Sequence, residues 1–291
     1  MIVVELMGGL GNQMFQYALG RNLAIKNNTQ LYLDKTSLLN RDARKNFIFR
    51  NYDLDIFNIE ERFLSIENSN KYNAVRSRPK KILNKILPLN ELKIIKEKQF
   101  GYTIQILNLS DNIYLNGYWQ NFRYFSEIEN IIKSDFSFKQ AISTICESLL
   151  NQIKNTESVC LNIRRTDFVT NPTAHGILEN DYYIQAEKIL LKQLSKPIFY
   201  IFSDDIEWCI NNIKLESEVV FVDHKYAGNK FRNYLELMSS CKHFVIPNST
   251  FAWWAAWLST SSRKIVIAPK VWLRSINFET DLMSPSTWIF L

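Results

Sequence analysis

The sequence predicts an α/β protein built on parallel sheets, and three observations carry that prediction. From residue 158 onward, short apolar runs alternate with stretches of helical periodicity, the pattern of parallel strands joined by crossover helices. The chain opens on an apolar run, a glycine-rich loop and a helical stretch, the start of a Rossmann-like unit. Polar and charged residues recur where the apolar runs end, and open α/β sheets bind ligands at the carboxyl ends of their strands. A length of 291 residues fits two domains. They are placed at 1–155 and 156–291, with no Gly/Ser-rich or Pro-rich linker between them.

In order, residues 2–6 read as the first strand and Gly8-Gly9-Leu10-Gly11-Asn12 as a loop. A helix is predicted over 13–26, with Phe15, Leu19 and Leu23 at helical spacing, then a strand over 30–33. Residues 34–115 are irregular and rich in Asn and Asp, and helical pattern returns over 122–155. A strand at 158–163 leads to a helix over 181–194. A strand at 198–202 ends at Ser203-Asp204-Asp205, and one at 219–222 ends at Asp223. A helix over 230–240 leads to a strand at 244–246 that ends at Pro247-Asn248-Ser249-Thr250, a helix cap. A tryptophan-rich helix and a strand at 265–268 close the series.

Composition sets bounds. The apolar fraction is 46%, and no apolar run has the length of a membrane span. The first residues enter a short, charged strand, so no signal peptide is expected. Four cysteines (Cys146, Cys160, Cys209, Cys241) and three histidines (His175, His224, His243) lack metal or redox spacing, which points to the cytoplasm and free thiols. The net charge of +6 and pI of about 9.0 fit anionic partners. Between Arg76 and Lys98 eight basic residues interleave with leucine and isoleucine, which reads either as a solvated helical pair or as an interfacial patch for anionic lipid.

The most informative run is Asn162-Ile163-Arg164-Arg165-Thr166-Asp167 at the end of the strand 158–163. Arginine carries a permanent charge and a planar donor fork that matches phosphate oxygens, so the pair suggests a diphosphate site. An ion-paired strand end is the plainer alternative. Ser203, Asp204 and Asp205, and then Asn248, Ser249 and Thr250 at a helix N-terminus, add to the set. Asp204 can accept from a guanine edge, or can cap a helix. Gly9 and Gly11 fit part of a dinucleotide fingerprint, but its third glycine is Met14 here. Asp53-Leu54-Asp55 imitates a metal-binding Asp-x-Asp but follows no strand and reads as structural, so no metal site is expected. Trp253, Trp254 and Trp257 read mostly as core. In Gly117-Tyr118-Trp119-Gln120 the aromatics can stack on sugar, with Trp119 read as core.

Taken together, these segments resemble the bacterial α-1,2-fucosyltransferases of glycosyltransferase family 11. The matching stretches are Gly8 to Ala18, Gly117-Tyr118-Trp119-Gln120 with Tyr124-Phe125, and Ile163 to Asp167. Phe202 to Asp205 with Trp208, Leu237 to Cys241, Asn248 to Trp254, and Ala268-Pro269-Lys270 with Trp272 follow. The resemblance implies a GT-B-like fold, two Rossmann-like domains facing a cleft, with the acceptor mainly on the N-terminal and GDP-fucose mainly on the C-terminal domain. It implies inverting transfer of L-fucose from GDP-β-L-fucose to the 2-hydroxyl of a β-galactoside, with no cofactor and no metal. Arg164 would hold the β-phosphate of the leaving group and Asp204 would read guanine. Ser203 and Asn248 belong to the same donor pocket, lined by Ser249, Thr250 and Phe251. Asn12, with Gly11, would reach the donor from the glycine loop, and Arg165 and Asp167 would shape the motif. The family usually has His where this chain has Asn162, and Gly where it has Thr166. His175, in Ala174-His175-Gly176, is a candidate base.

The implied partners are GDP-fucose and a galactose-containing acceptor such as a lipid-linked O-antigen repeat, with no nucleic acid. The implied location is the cytoplasm, with peripheral contact at the inner face of the plasma membrane through the basic segment. Two other classes compete: an oxidoreductase using Gly9 and Gly11, and a non-catalytic glycan-binding protein that keeps the aromatics.

Overall fold

A computed structural model describes residues 1–42, 48–65, 92–165, 176 and 178–291. Its contacts divide the chain into two units, Met1–Lys139 and Gln140–Leu291.

The first unit carries β1 (Ile2–Glu5), α1 (Leu10–Lys26), β2 (Leu31–Asp34), β3 (Lys93–Lys96) and β4 (Ile113–Asn116). The four strands form one parallel sheet in the order β2-β1-β4-β3. Helix α1 lies against β1 and β2, and Gly20 permits that approach, because a β-carbon there would clash with Val4 and Leu31. Two of the four strands fall in the stretch that reads as irregular. Lys-Ile-Ile-Lys has no alternation, because β3 is a sheet edge with an exposed lysine at each end, a pattern that discourages further strand pairing. The helical-pair reading therefore fails at Lys93–Lys96, and residues 76–91 of that basic segment lie outside the described residues.

The helical stretch predicted over 122–155 is broken. Two 3-10 turns (Phe122–Tyr124 and Ser126–Ile128) and a helix at Glu129–Asp135 belong to the first unit, and a helix at Thr144–Asn155 belongs to the second. That last helix buries Cys146, Leu149, Leu150 and Ile153 and packs on β5 and the helix Arg232–Ser239. The division of the chain therefore falls ahead of it, before the boundary at 155 read from sequence.

The second unit holds β5 (Ser158–Ile163), β6 (Ile198–Ser203), β7 (Glu218–Phe221), β8 (His243–Val245) and β9 (Val266–Ala268). A short antiparallel pair, β10 (Val271–Leu273) and β11 (Phe278–Glu279), precedes β12 (Ile289–Phe290). Six of these strands form a parallel sheet in the order β12-β9-β8-β5-β6-β7. Val159, Leu161, Ile163, Phe199, Ile201, Val245 and Ile267 form a core with Tyr183, Ala186 and Leu190 of the helix Asn180–Leu191. Trp253, Trp254 and Trp257 of the helix Thr250–Leu258 are buried, with Trp253 and Trp257 stacked at 6.2 Å. All four cysteines are free and buried. Among the described residues no helix is long and apolar enough to cross a membrane.

Candidate active site

Topology selects the place. In the second unit the chain runs from β5 to β6 and β7 on one side, then returns to β8 on the other side of β5. The strand order reverses between β5 and β8, and such a switch point opens a crevice at the carboxyl ends of the strands. Arg164 and Arg165 leave β5 there, flanked by Ser203 and Asp204 at the end of β6 and by Asn248 and Ser249 beyond β8. Residues far apart in sequence thus meet because three adjacent strands run the same way.

The cluster is held by direct contacts. Asp204 Oδ1 accepts from the Arg165 backbone N–H at 2.9 Å, and Asp204 Oδ2 lies 3.3 Å from Arg164 Nε. Both Asp204 oxygens thereby engage the arginine pair, an arrangement that orients the Arg164 guanidinium. The Arg165 guanidinium instead lies over the Trp208 ring at 3.6 Å and 3.8 Å from Asp205. Asp205 also caps the helix Ile206–Asn212 by accepting from the Trp208 N–H. The Arg165 guanidinium thus packs against the first turn of that helix. Ser203 Oγ accepts from the Asp205 N–H at 2.9 Å.

Two of the sequence candidates turn inward. Asn162 is buried and donates to the Phe202 carbonyl at 3.0 Å, its register partner on β6. Asn248 is buried and donates to the Trp272 carbonyl at 3.1 Å. Ser249, Thr250 and Phe251 are half-buried at the start of the helix Thr250–Leu258, whose first turn carries no acidic residue. That helix end offers backbone N–H groups and a favourable dipole to an anion. Asp167 and His175 lie outside the described residues.

The carboxyl end of the first unit's sheet is also polar. Helix α1 begins at Leu10, three residues earlier than predicted, so Gly11 and Asn12 occupy its first turn instead of a loop. Gly8 adopts φ +73°, and a β-carbon there would meet the Asn12 amide. Asn12 Oδ1 accepts from Gln120 Nε2 at 3.0 Å. Gln13 accepts from the Asp53 N–H at 3.0 Å, and the turn Leu54–Ile56 follows, so the Asp53 backbone is tied to α1.

Sequence reading misses two residues. His224, just past β7, places Nε2 2.8 Å from the Ser203 carbonyl. Its position one residue after a strand-ending aspartate is the signal that marks it. Glu97 follows β3, a strand with no readable period, and Oε2 accepts from the Tyr118 and Trp119 N–H groups at 2.7 and 3.3 Å. These bonds hold Trp119 at φ 55° and leave Tyr118 exposed.

Burial holds the Glu97 carboxyl above its ordinary range, with the two backbone hydrogen bonds pulling the other way. A raised value in the folded state favours folding while the group is protonated, and that contribution fades as pH rises through the folded value. Glu97→Gln keeps an oxygen for both N–H groups and cannot ionise. Its melting temperature is expected to exceed the parent's by a few degrees at about pH 8 and to match it at about pH 4. A lower melting temperature at the higher pH contradicts this account.

A cavity of about 1100 Å³ opens elsewhere in the second unit, lined by Lys154, Glu157, Lys242, His243 and Arg263 among others. It lies at the amino ends of β5, β8 and β9, the end opposite to the cluster.

The sequence model for Glycosyl transferase family 11 matches residues 1–291. An alpha-1,2-colitosyltransferase of Escherichia coli is 32% identical over 296 residues, covering 99% of this chain and 98% of that protein. The O-antigen biosynthesis glycosyltransferase WbnK of Escherichia coli is 31% identical, covering 98% and 99% respectively. Galactoside 2-alpha-L-fucosyltransferase SEC1 of Bos taurus is 29% identical over 51% of this chain and 42% of its own length. Among solved structures, FUT1 of Arabidopsis thaliana in complex with GDP superposes with a TM-score of 0.53 at 11% identity, over 91% of this chain and 69% of that one. The fucosyltransferase NodZ from Bradyrhizobium gives 0.51 at 12% identity, over 88% and 90%. The fold is therefore α/β and GT-B-like, as the sequence resemblance implies.

Proposed function

The chain belongs to glycosyl transferase family 11, and from that premise we propose that it transfers L-fucose from GDP-β-L-fucose to the 2-hydroxyl of a β-galactoside, inverting the anomeric centre without a metal ion. The observation that carries this reading is the Arg164–Asp204 pair at the strand-order reversal, beside the helix N-terminus at Ser249 and Thr250. A diphosphate leaving group gains negative charge as the glycosidic bond breaks. A preorganised guanidinium and helix dipole meet that charge where it develops. Arg164 holds the β-phosphate, Asp204 fixes Arg164, and Ser249, Thr250 and Phe251 line the pocket. His175 takes the acceptor proton. The acceptor ends in galactose and is carried on lipid, as in O-antigen assembly. The enzyme works in the cytoplasm, where the positive charge of segment 76–98 draws it to anionic membrane.

A second reading concerns the donor sugar. One full-length relative is named as a colitosyltransferase. Colitose is fucose without its 3-hydroxyl, so both sugars suit a pocket that grips GDP and a 6-deoxy-L-hexose. Equimolar GDP-fucose and GDP-colitose offered together to the enzyme, with product mass as the readout, decide between them. The proposal expects mainly fucosylated product. Product lacking one oxygen replaces fucose by colitose and keeps the same site.

A further inference from the structure

Past β7 the backbone adopts an unfavourable course. Gly228 lies at φ +70°, and Lys230 and Phe231 follow at φ 54° and 57°. Glycine enters that left-handed region freely, but a β-carbon there crowds the next carbonyl oxygen. Two consecutive non-glycine residues are thus held in a disfavoured conformation. At this point the chain presents a large apolar ring to solvent, with Phe231 50% exposed. Backbone strain of this kind persists where the surrounding structure enforces it, and it gathers at ligand clamps.

The surroundings of Phe231 lead back to the anion cluster. Its ring lies 6.2 Å from Tyr234, which is 5.4 Å from Phe202 and 6.1 Å from His224. Tyr234 is fixed by donating its hydroxyl to the Val222 carbonyl at 2.9 Å, and His224 is fixed against the Ser203 carbonyl. Phe202 and Ser203 end β6, and the next residue is Asp204, the partner of Arg164. An aromatic series therefore runs from the phosphate-binding strand end to a half-exposed ring beyond the neighbouring strand. A nucleotide anchored by its diphosphate at Arg164 needs a flat apolar surface for its base beside that point. Purines stack well on such rings.

We propose that Phe231 is the aromatic clamp for the guanine base of the donor nucleotide, braced by Tyr234 and His224. The inference rests on the GDP-sugar reading above and assigns the base an occupied face that this reading leaves open.

The test compares binding of GDP and of inorganic pyrophosphate to the full chain, by calorimetric titration, for the parent, Phe231→Gly and Phe231→Leu. Both variants are expected to lose about tenfold or more in GDP affinity, the usual size of one base–aromatic stack, and to keep pyrophosphate affinity. Phe231→Gly is also expected to melt at a higher temperature than the parent, because glycine accepts φ 57° without strain. Phe231→Leu keeps the strain and serves as the control for loss of the ring alone. GDP affinity within about twofold of the parent in both variants overturns the clamp while the donor reading stands. A parallel loss of GDP and pyrophosphate overturns it too, since the residue then acts through the fold. A parent chain that binds pyrophosphate but shows no preference for GDP overturns the donor reading and the clamp with it.

Discussion

Arg164→Lys is expected to lower turnover by about 10²–10³-fold while the protein stays folded. Lysine keeps the positive charge, so a purely electrostatic role would survive the exchange. It lacks the Nε that faces Asp204 at 3.3 Å, and it lacks the planar fork. A single ammonium cannot both engage Asp204 and present paired donors to a β-phosphate. The deficit should therefore appear in turnover at saturating donor, where charge builds on the leaving group, more than in donor KM. Circular dichroism and melting temperature should match the parent, because the side chain is only partly buried at a strand end. Near-normal turnover of this variant removes the leaving-group role.

Asp204→Ala should produce the second large effect. The side chain accepts from the Arg165 N–H and faces the Arg164 guanidinium, and it is largely buried. Alanine leaves that N–H without its acceptor and lets Arg164 swing, at about 1–3 kcal/mol in stability and roughly 10²-fold in turnover. Asp204→Asn keeps an oxygen for the N–H but not the charge, and should fall between the two. The balance of constants separates the two roles open to this residue. A positioning role lowers kcat for every variant. A guanine-reading role raises donor KM and leaves kcat nearly intact.

The parts of this site that are readable in sequence share one physical cause. Parallel strands buried on both faces show as apolar runs, and their carboxyl ends show as the first polar residues after each run. β5 is read at 158–163 and observed at Ser158–Ile163, and Arg164, Asp204 and Ser249 follow strands found the same way. The orientation of each side chain is another matter. Asn162 lies within that strand, and only its register with Phe202 turns the amide toward a backbone carbonyl. Asn248 is drawn inward by a carbonyl more than twenty residues later in the chain. The first unit is less legible because its strands are short and its edge strand is framed by lysines, so Glu97 has no pattern to announce it. The start of α1 is displaced for a similar reason: its cap is Gly9, which makes no side-chain hydrogen bond and so leaves no capping signature.

The proposed diphosphate site fits the basic balance of the composition. Excess positive charge is useful where a diphosphate must be held and released. The aromatic content serves packing, as in Trp253 and Trp254, and recognition as proposed for Phe231.

The most direct test of the central claim is incubation of the full chain with GDP-fucose and a panel of β-galactosides in excess EDTA, with product mass and linkage determined. The account predicts fucose joined in α linkage to the galactose 2-hydroxyl, formed in the presence of the chelator. Absence of fucosylated product with or without a divalent metal, together with no binding of GDP-fucose, would contradict it.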